Sequence, residues 1–253
     1  MIRSEIINLW KSIGWNSIKE YHNSCIYEPP IIEDLDPDKV SPVEFWYAAQ
    51  NHFLTDPISN SRNSSSTFNV SQSNTLNHNL AVHLGMIGQL EMAIADTKYK
   101  FGKTSIAEIG CGYGSLYKSY IKSKNIDYIG FDLIKRFKLA IPVKGKNGTL
   151  SPYQIKKYKD RFNIFYSANV FQHLSPTQIK TYLMQIYDIL PYGGYANIMY
   201  IHGTEFTYHY GQKINIINEN SFIDLVKFFG YNVISLTKSY VGDIKPFSLL
   251  LEK

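Results

Sequence analysis

The stretch IAEIGCGYGSLYKSYIKSKNIDYIGFDL, Ile106 to Leu133, decides the fold. Three glycines stand at alternate positions, Gly110, Gly112 and Gly114, behind a short apolar run and ahead of a helix-like pattern. A second apolar run then closes on Asp132. Glycines so placed after a strand allow a tight turn and let backbone N–H groups come close to a ligand. A helix that follows adds unpaired N–H groups and the positive end of its dipole. A carboxylate about twenty residues on, at the end of the next strand, is placed to accept both hydroxyls of a ribose. The unit reads as a site for a nucleoside-like ligand at the carboxyl edge of parallel strands.

Working outward, short strands are expected at Ser105–Ile109, Tyr128–Phe131, Asn163–Ser167, Tyr195–Ile201, Asn232–Leu236 and Phe247–Leu251. Helices are expected between them at Ser115–Ser123, Pro176–Leu190 and Ser221–Phe229. This alternation argues a mostly parallel sheet covered on both faces. Upstream, Ile2–Tyr21 has a helical apolar period, Glu28–Val40 is a Pro- and Asp-rich connector, and Ser41-Pro42-Val43-Glu44 is a capped helix start. Thr55–Asn79 is polar and rich in Ser and Asn, too long for a structural turn, and reads as a lid or a linker. Leu80–Ala95 reads as a helix. The chain therefore divides into a helical extension with a polar lid, residues 1–100, capping the substrate, and a catalytic domain, residues 101–253.

With 253 residues, 44% of them hydrophobic and 19% charged, the chain can bury a sizeable core. No apolar run approaches the ~20 residues of a membrane span, and the N-terminus does not read as a signal peptide. Cys25 and Cys111 alone give neither a disulfide framework nor a CxxC metal pattern, which points to a reducing cytoplasm. The net charge of +5 comes from scattered lysines with denser patches at Lys135–Lys138 and Lys156–Arg161. That distribution suits a solvated surface, and nucleic acid is not expected as a partner.

The dinucleotide fingerprint is G-x-G-x-x-G, whereas here the spacing is G-C-G-Y-G with Glu108 two residues before the first glycine. A-E-I-G-C-G-Y-G resembles motif I of the class I S-adenosylmethionine-dependent methyltransferases, and Y-I-G-F-D-L resembles their second motif. N-I-F-Y-S-A-N-V-F-Q-H-L is similar to their fourth strand and active-site loop, and I-L-P-Y-G-G-Y-A-N-I to the turn leading into the fifth. The resemblance covers Ser105 to Lys253. It implies an α/β, Rossmann-like class I methyltransferase fold: a seven-stranded, mostly parallel sheet ending in an antiparallel hairpin, with a helical N-terminal extension. It also implies S-adenosylmethionine as cofactor and S-adenosylhomocysteine as product, held by Glu108, Gly110, Cys111, Gly112, Gly114, Asp132 and Asn169. Glu108 would serve the methionine end and Asp132 the ribose. One departure matters. Between Asp132 and Asn163 the family has a strand ending in an acid that recognises adenine, and this chain has no clear counterpart. The adenine contact is unassigned, and the third strand is expected to be altered or missing.

The acceptor is narrowed by the loop Ser167-Ala168-Asn169-Val170, which lacks the N/D/S-P-P-Y/F signature of exocyclic-amine methylation on nucleic acid. Neither cysteine is placed for cytosine-C5 chemistry, so base flipping is disfavoured. His173 is the candidate general base for a hydroxyl; alternatively it caps or packs at the helix start, or touches the cofactor. His202, Glu205 and His209 form a second group, read as a base with its orienting partner, a substrate-binding cluster, a divalent-ion site or a solvated loop; no metal is assigned. Tyr200, Tyr208 and Tyr210 are platforms for a sugar ring. His78 and His83 precede or begin the helix ahead of the first strand and read mainly as structural. The layout is similar to bacterial sugar O-methyltransferases from capsule and lipopolysaccharide loci. That implies a nucleotide-activated sugar acceptor, such as GDP-heptose, and is compatible with a homodimer. The alternatives are a methyltransferase for a natural product, lipid or amine, and a non-catalytic cofactor-binding partner subunit.

Overall fold

The computed structural model describes residues 74–112, 114, 116–133, 135, 137–145, 148–174, 176–202, 207–209, 212–214, 218–238 and 245–253. The expectations for Ile2–Tyr21, Glu28–Val40 and Ser41–Glu44 lie outside them, as does most of the Thr55–Asn79 segment.

The described residues begin with a long helix, α1 (Asn74–Phe101). Seven strands then build one sheet: β1 (Ser105–Ile109), β2 (Asp127–Asp132), β3 (Ala140–Pro142), β4 (Ile164–Ser167), β5 (Tyr195–His202), β8 (Asn232–Lys238) and β9 (Lys245–Glu252). Their order is β3-β2-β1-β4-β5-β9-β8. The first five are parallel, and β9 runs antiparallel between β5 and β8. Helices α2 (Pro152–Tyr158), α3 (Pro176–Ile189) and α4 (Glu219–Phe228) fill the connections. The expected seven-stranded sheet with a terminal antiparallel hairpin is present, and all six expected strands lie within it.

A parallel sheet covered on both faces reads as continuous apolar strands, and all five residues of β1 are buried. Successive side chains take opposite faces. Ala107, Ile109, Phe165, Ile198, Tyr200 and Leu249 join α3 and α4 in one half of the core. Ile106, Ile164, Tyr166, Met199 and Leu250 join Met86, Leu90 and Ala93 of α1 in the other.

α1 lies across the second face. Near its C-terminus Lys100 pairs with Asp96 (2.7 Å) and with Glu252 at the end of β9 (2.6 Å), and the hydroxyl of Tyr195, which begins β5, donates to Asp96 (2.7 Å). Further back, Asn197 donates to the carbonyl of Met86 at 2.8 Å. Helical rise puts His83 about one turn, and His78 about 12 Å, N-terminal to Met86 along α1, at 1.5 Å per residue. Both histidines are inside the helix, which begins at Asn74 within the polar stretch and runs on to Phe101.

Three regions differ in detail from the sequence pattern. The third strand is present in altered form, as one of the two expected outcomes has it: β3 is short, pairs with β2, and places Pro142 at the sheet edge, where its missing N–H costs no ladder bond. The helix expected over Ser115–Ser123 is instead a π-helical turn, Tyr117–Ile121, continued by a 3-10 turn, Lys122–Lys124. With that wider turn Leu116 and Ile121 are both buried, and Tyr117 lies on the rings of Tyr128 (5.1 Å) and Phe137 (5.4 Å). The region after β5 carries a hairpin of β6 (Thr207–His209) and β7 (Gln212–Ile214). By contact the chain divides into two compact units: Thr67–Phe206 with Asn215–Lys253, which holds α1 and the large sheet, and Met1–Ser66 with this hairpin. No described helix is long and apolar enough to cross a membrane.

Candidate functional site

The glycine turn comes after β1 at the carboxyl edge of the sheet, and its three glycines do different work. All three have positive φ, at 75°, 50° and 74°. A Cβ on Gly110 would land on Cγ2 of Val170, in the loop after β4. One on Gly114 would sit 2.7 Å from the ring of Phe137, between β2 and β3. These two glycines let neighbouring segments close on the turn. Among the described residues no atom lies within 4 Å of the Cβ that Gly112 lacks, so among them the space above it is open. Its N–H donates to Oδ2 of Asp132 at 2.7 Å. The turn is also tied to β2 by Gly110 N–H on the carbonyl of Phe131 (2.7 Å).

Glu108 is the penultimate residue of β1. It is 7% exposed and accepts a hydrogen bond from the Tyr128 hydroxyl. Burial pushes its carboxyl up to about 8, with the charge of Asp132 adding to the rise while the Tyr128 hydroxyl opposes it. At neutral pH it is mainly a neutral acid. Cys111 is buried as well, its Sγ packed where a Cβ on Gly130 would stand. Burial raises the thiol far above its ordinary value, so only the backbone of Cys111 is available to a ligand.

After β4, Ser167 Oγ donates to the carbonyl of Ile109 (3.2 Å), which fixes this loop against the end of β1. Asn169 comes next but one, in the left-handed region at φ 59°, which asparagine tolerates. A 3-10 turn, Phe171–His173, then leads toward α3 and carries His173 at the same edge. His202 ends β5, opposite Lys245 in register. Glu205 lies outside the described residues, and His209 is on β6 of the separate hairpin. Among the described residues no group of three or more His, Cys, Asp or Glu side chains is placed to hold a metal.

From Leu133 to Lys159 the chain has no Asp or Glu. In place of an acid, the loop after β3 is held by amides. Gln154, 3% exposed, accepts from the N–H groups of Lys144 (2.9 Å) and Ser151 (3.0 Å) and donates to the carbonyl of Pro142 (2.9 Å). Gln185 clamps Leu150 from both sides, and the Tyr182 hydroxyl donates to the carbonyl of Gly148 (2.6 Å). Sequence reasoning passed over Gln154, although Ser151-Pro152-Tyr153-Gln154 has the same capping form as Ser175-Pro176-Thr177-Gln178; the box closes in the structure.

The open floor over Gly112, the oriented carboxylate of Asp132 and the tight turn between them fit a nucleoside. No protein-family model matches the chain, and no curated protein matches it by sequence. Among solved structures it is similar to the 1,6-didemethyltoxoflavin-N1-methyltransferase of Burkholderia thailandensis, solved with 1,6-didemethyltoxoflavin and S-adenosylhomocysteine bound. That likeness has 13% identity, covers 89% of this chain and 99% of that one, and has a TM-score of 0.53. A SAM-dependent methyltransferase from Archaeoglobus fulgidus is similar at 14% identity over 68% of this chain and 94% of its own, with a TM-score of 0.51. The sheet is thus the Rossmann-like class I methyltransferase fold.

Proposed function

We propose that this chain is an S-adenosylmethionine-dependent methyltransferase whose acceptor is a hydroxyl of a sugar, carried as a nucleotide-activated sugar for surface polysaccharide synthesis. The observation that carries the cofactor reading is the 2.7 Å bond from Gly112 N–H to Asp132, beside open space at the carboxyl edge. The carboxylate so oriented holds the ribose hydroxyls, and the backbone of Gly110–Gly114 and the Asn169 loop enclose the rest of the cofactor. When bound, the cofactor supplies an electrophilic methyl on a sulfonium. The protein's part is alignment and removal of a proton: His173, in the turn after β4, takes the hydroxyl proton as the acceptor oxygen attacks in line. His202, which ends β5, and Glu205 hold the acceptor. The buried Cys111 thiol does not serve as a nucleophile in this scheme.

The test is methyl transfer from labelled S-adenosylmethionine onto a panel of nucleotide sugars, other alcohols and amines. Label is expected on a nucleotide sugar. His173→Ala should lower turnover by roughly 10²–10⁴-fold with the affinity for S-adenosylhomocysteine nearly intact; equal loss of both contradicts the base role. A nitrogen acceptor on a small heterocycle is the second reading, favoured by the near full-length likeness to the N1-methyltransferase. Label confined to amines or ring nitrogens would establish it.

A further inference from the structure

α1 turns one face to the sheet and leaves the other bare. Met86, Gln89, Leu90, Ala93 and Thr97 are buried against the sheet. An exposed helix face is ordinarily polar, and this one has an apolar seam. Gly88, Met92, Ala95 and Tyr99 follow one another along it at spacings of four, three and four, the repeat of a helix that pairs with another helix. Met92 is 54% exposed and Tyr99 88%, and Gly88 and Ala95 are exposed between and beside them. Glycine within an exposed helix is unfavourable against alanine. Here it leaves a hole, since among the described residues no atom lies within 4 Å of the Cβ that Gly88 lacks.

We propose that two copies of the chain meet on this face, α1 against α1, antiparallel about a two-fold axis between Met92 and Ala95. The seam is self-complementary in that arrangement. Gly88 and Tyr99 are centred on the same point of the helix as Met92 and Ala95, midway between residues 93 and 94. Turning one helix end for end about that point sets Tyr99 of each copy over Gly88 of the other, and Met92 over Ala95, large into small at every level. A parallel pair would instead set tyrosine on tyrosine at one end and glycine on glycine at the other. Charge agrees with the antiparallel order. Glu91 and Lys98, two turns apart, share one exposed flank of the seam. The turn brings Glu91 of one copy within about 3 Å, along the axis, of Lys98 of the other at 1.5 Å per residue, and the symmetry repeats the pair. Within one chain Glu91 pairs with Lys124 at 2.9 Å, and Lys98 has no ion pair among the described residues. From Gly88 to Tyr99 the seam spans only about 16 Å, so the pair belongs with small, concentration-dependent interfaces.

The experiment is sedimentation equilibrium of the full chain over a concentration series reaching about 1 mM, with thermal melts of dilute protein to show that each variant is folded. The wild type should pass from the mass of one chain to that of two. Tyr99→Ser removes both knobs and should weaken pairing about tenfold or more. Gly88→Leu fills both holes and should weaken it similarly, although leucine is the better helix former and the dilute variant should melt higher than wild type. Lys98→Glu and Glu91→Lys each set like charges across the axis and should weaken pairing roughly fivefold or more. The double reversal restores opposite charges and should pair nearly as wild type does. If Glu91 acts only through its own Lys124, Lys98→Glu cannot rescue Glu91→Lys. The inference is overturned by the mass of one chain at every concentration, which is also the result if the chain's own N-terminal residues cover this face. It is equally overturned by a mass above two chains, by pairing that survives both Tyr99→Ser and Gly88→Leu, or by a double reversal no better than the single ones.

Discussion

The backbone N–H of Gly112 and the carboxylate of Asp132 meet at 2.7 Å across twenty residues of chain, joining the turn after β1 to the end of β2. One bond sets both the floor of the crevice and the orientation of its carboxylate. Gly110 and Gly114 are filled over by Val170 and Phe137, which close the sides. The alternate spacing of the three glycines thus separates two packing positions from one ligand position.

That separation can be tested by three single substitutions. Gly110→Ala and Gly114→Ala should destabilise the fold by about 2–4 kcal/mol, combining overpacking of about 1–3 with a left-handed backbone cost of about 1. Gly112→Ala carries only the backbone cost and should fold, yet bind S-adenosylhomocysteine at least about tenfold more weakly because its methyl fills the open floor. Urea denaturation and calorimetry read the two effects. Full binding by Gly112→Ala would mean that the space is not the ligand's.

Asp132→Asn should weaken S-adenosylhomocysteine and 5′-methylthioadenosine alike, since both carry the ribose. A loss of about tenfold or more is expected from removing a charged acceptor. Titration of both ligands checks it, and a loss limited to the amino-acid-bearing ligand would move the ribose contact elsewhere.

Glu108 makes stability depend on pH. Its folded value is raised to about 8 from an ordinary 4.5, so between these limits the native state holds a proton that the unfolded chain has released. Stability from this group is therefore present at acid pH and declines as pH rises from about 5 to 8, by an amount on the order of a few kcal/mol. Glu108→Gln removes the titration and keeps an oxygen for Tyr128. Denaturation midpoints at pH 5.5 and 8 should converge in the variant relative to wild type; parallel profiles would contradict the neutral buried acid.

Gln154 holds the loop after β3 by three backbone contacts. Gln154→Ala should cost about 2–3 kcal/mol at roughly 1 kcal/mol per buried bond, and should speed hydrogen exchange at the Lys144 N–H. Unchanged exchange there would show that the loop is held by Gln185 and Tyr182 alone.

Much of this architecture was legible in the residues. β1 was delimited to the residue because its five buried positions are flanked by a lysine-threonine pair and a glycine. β5, β8 and β9 ran slightly longer than their apolar cores because edge positions such as His202 and Lys238 pair through the backbone, whatever their polarity. β3 escaped because three residues ending in proline carry no period. α2 escaped because only two of its residues, Gln154 and Tyr158, are buried, so its capping box was the one signal available. Gly112 and Asp132 could be paired from spacing alone. Burial of Glu108 could not, since it depends on Tyr128 standing beside it on the next strand.

The central claim is that an S-adenosyl nucleoside lies over Gly112 with its ribose on Asp132. Calorimetric titration of the full chain with S-adenosylhomocysteine, run beside NAD, tests it most directly. Saturable one-to-one binding of S-adenosylhomocysteine, weakened about tenfold or more in the folded Gly112→Ala and Asp132→Asn variants and absent for NAD, is the predicted result. No heat with S-adenosylhomocysteine, or binding that both variants keep, would contradict it.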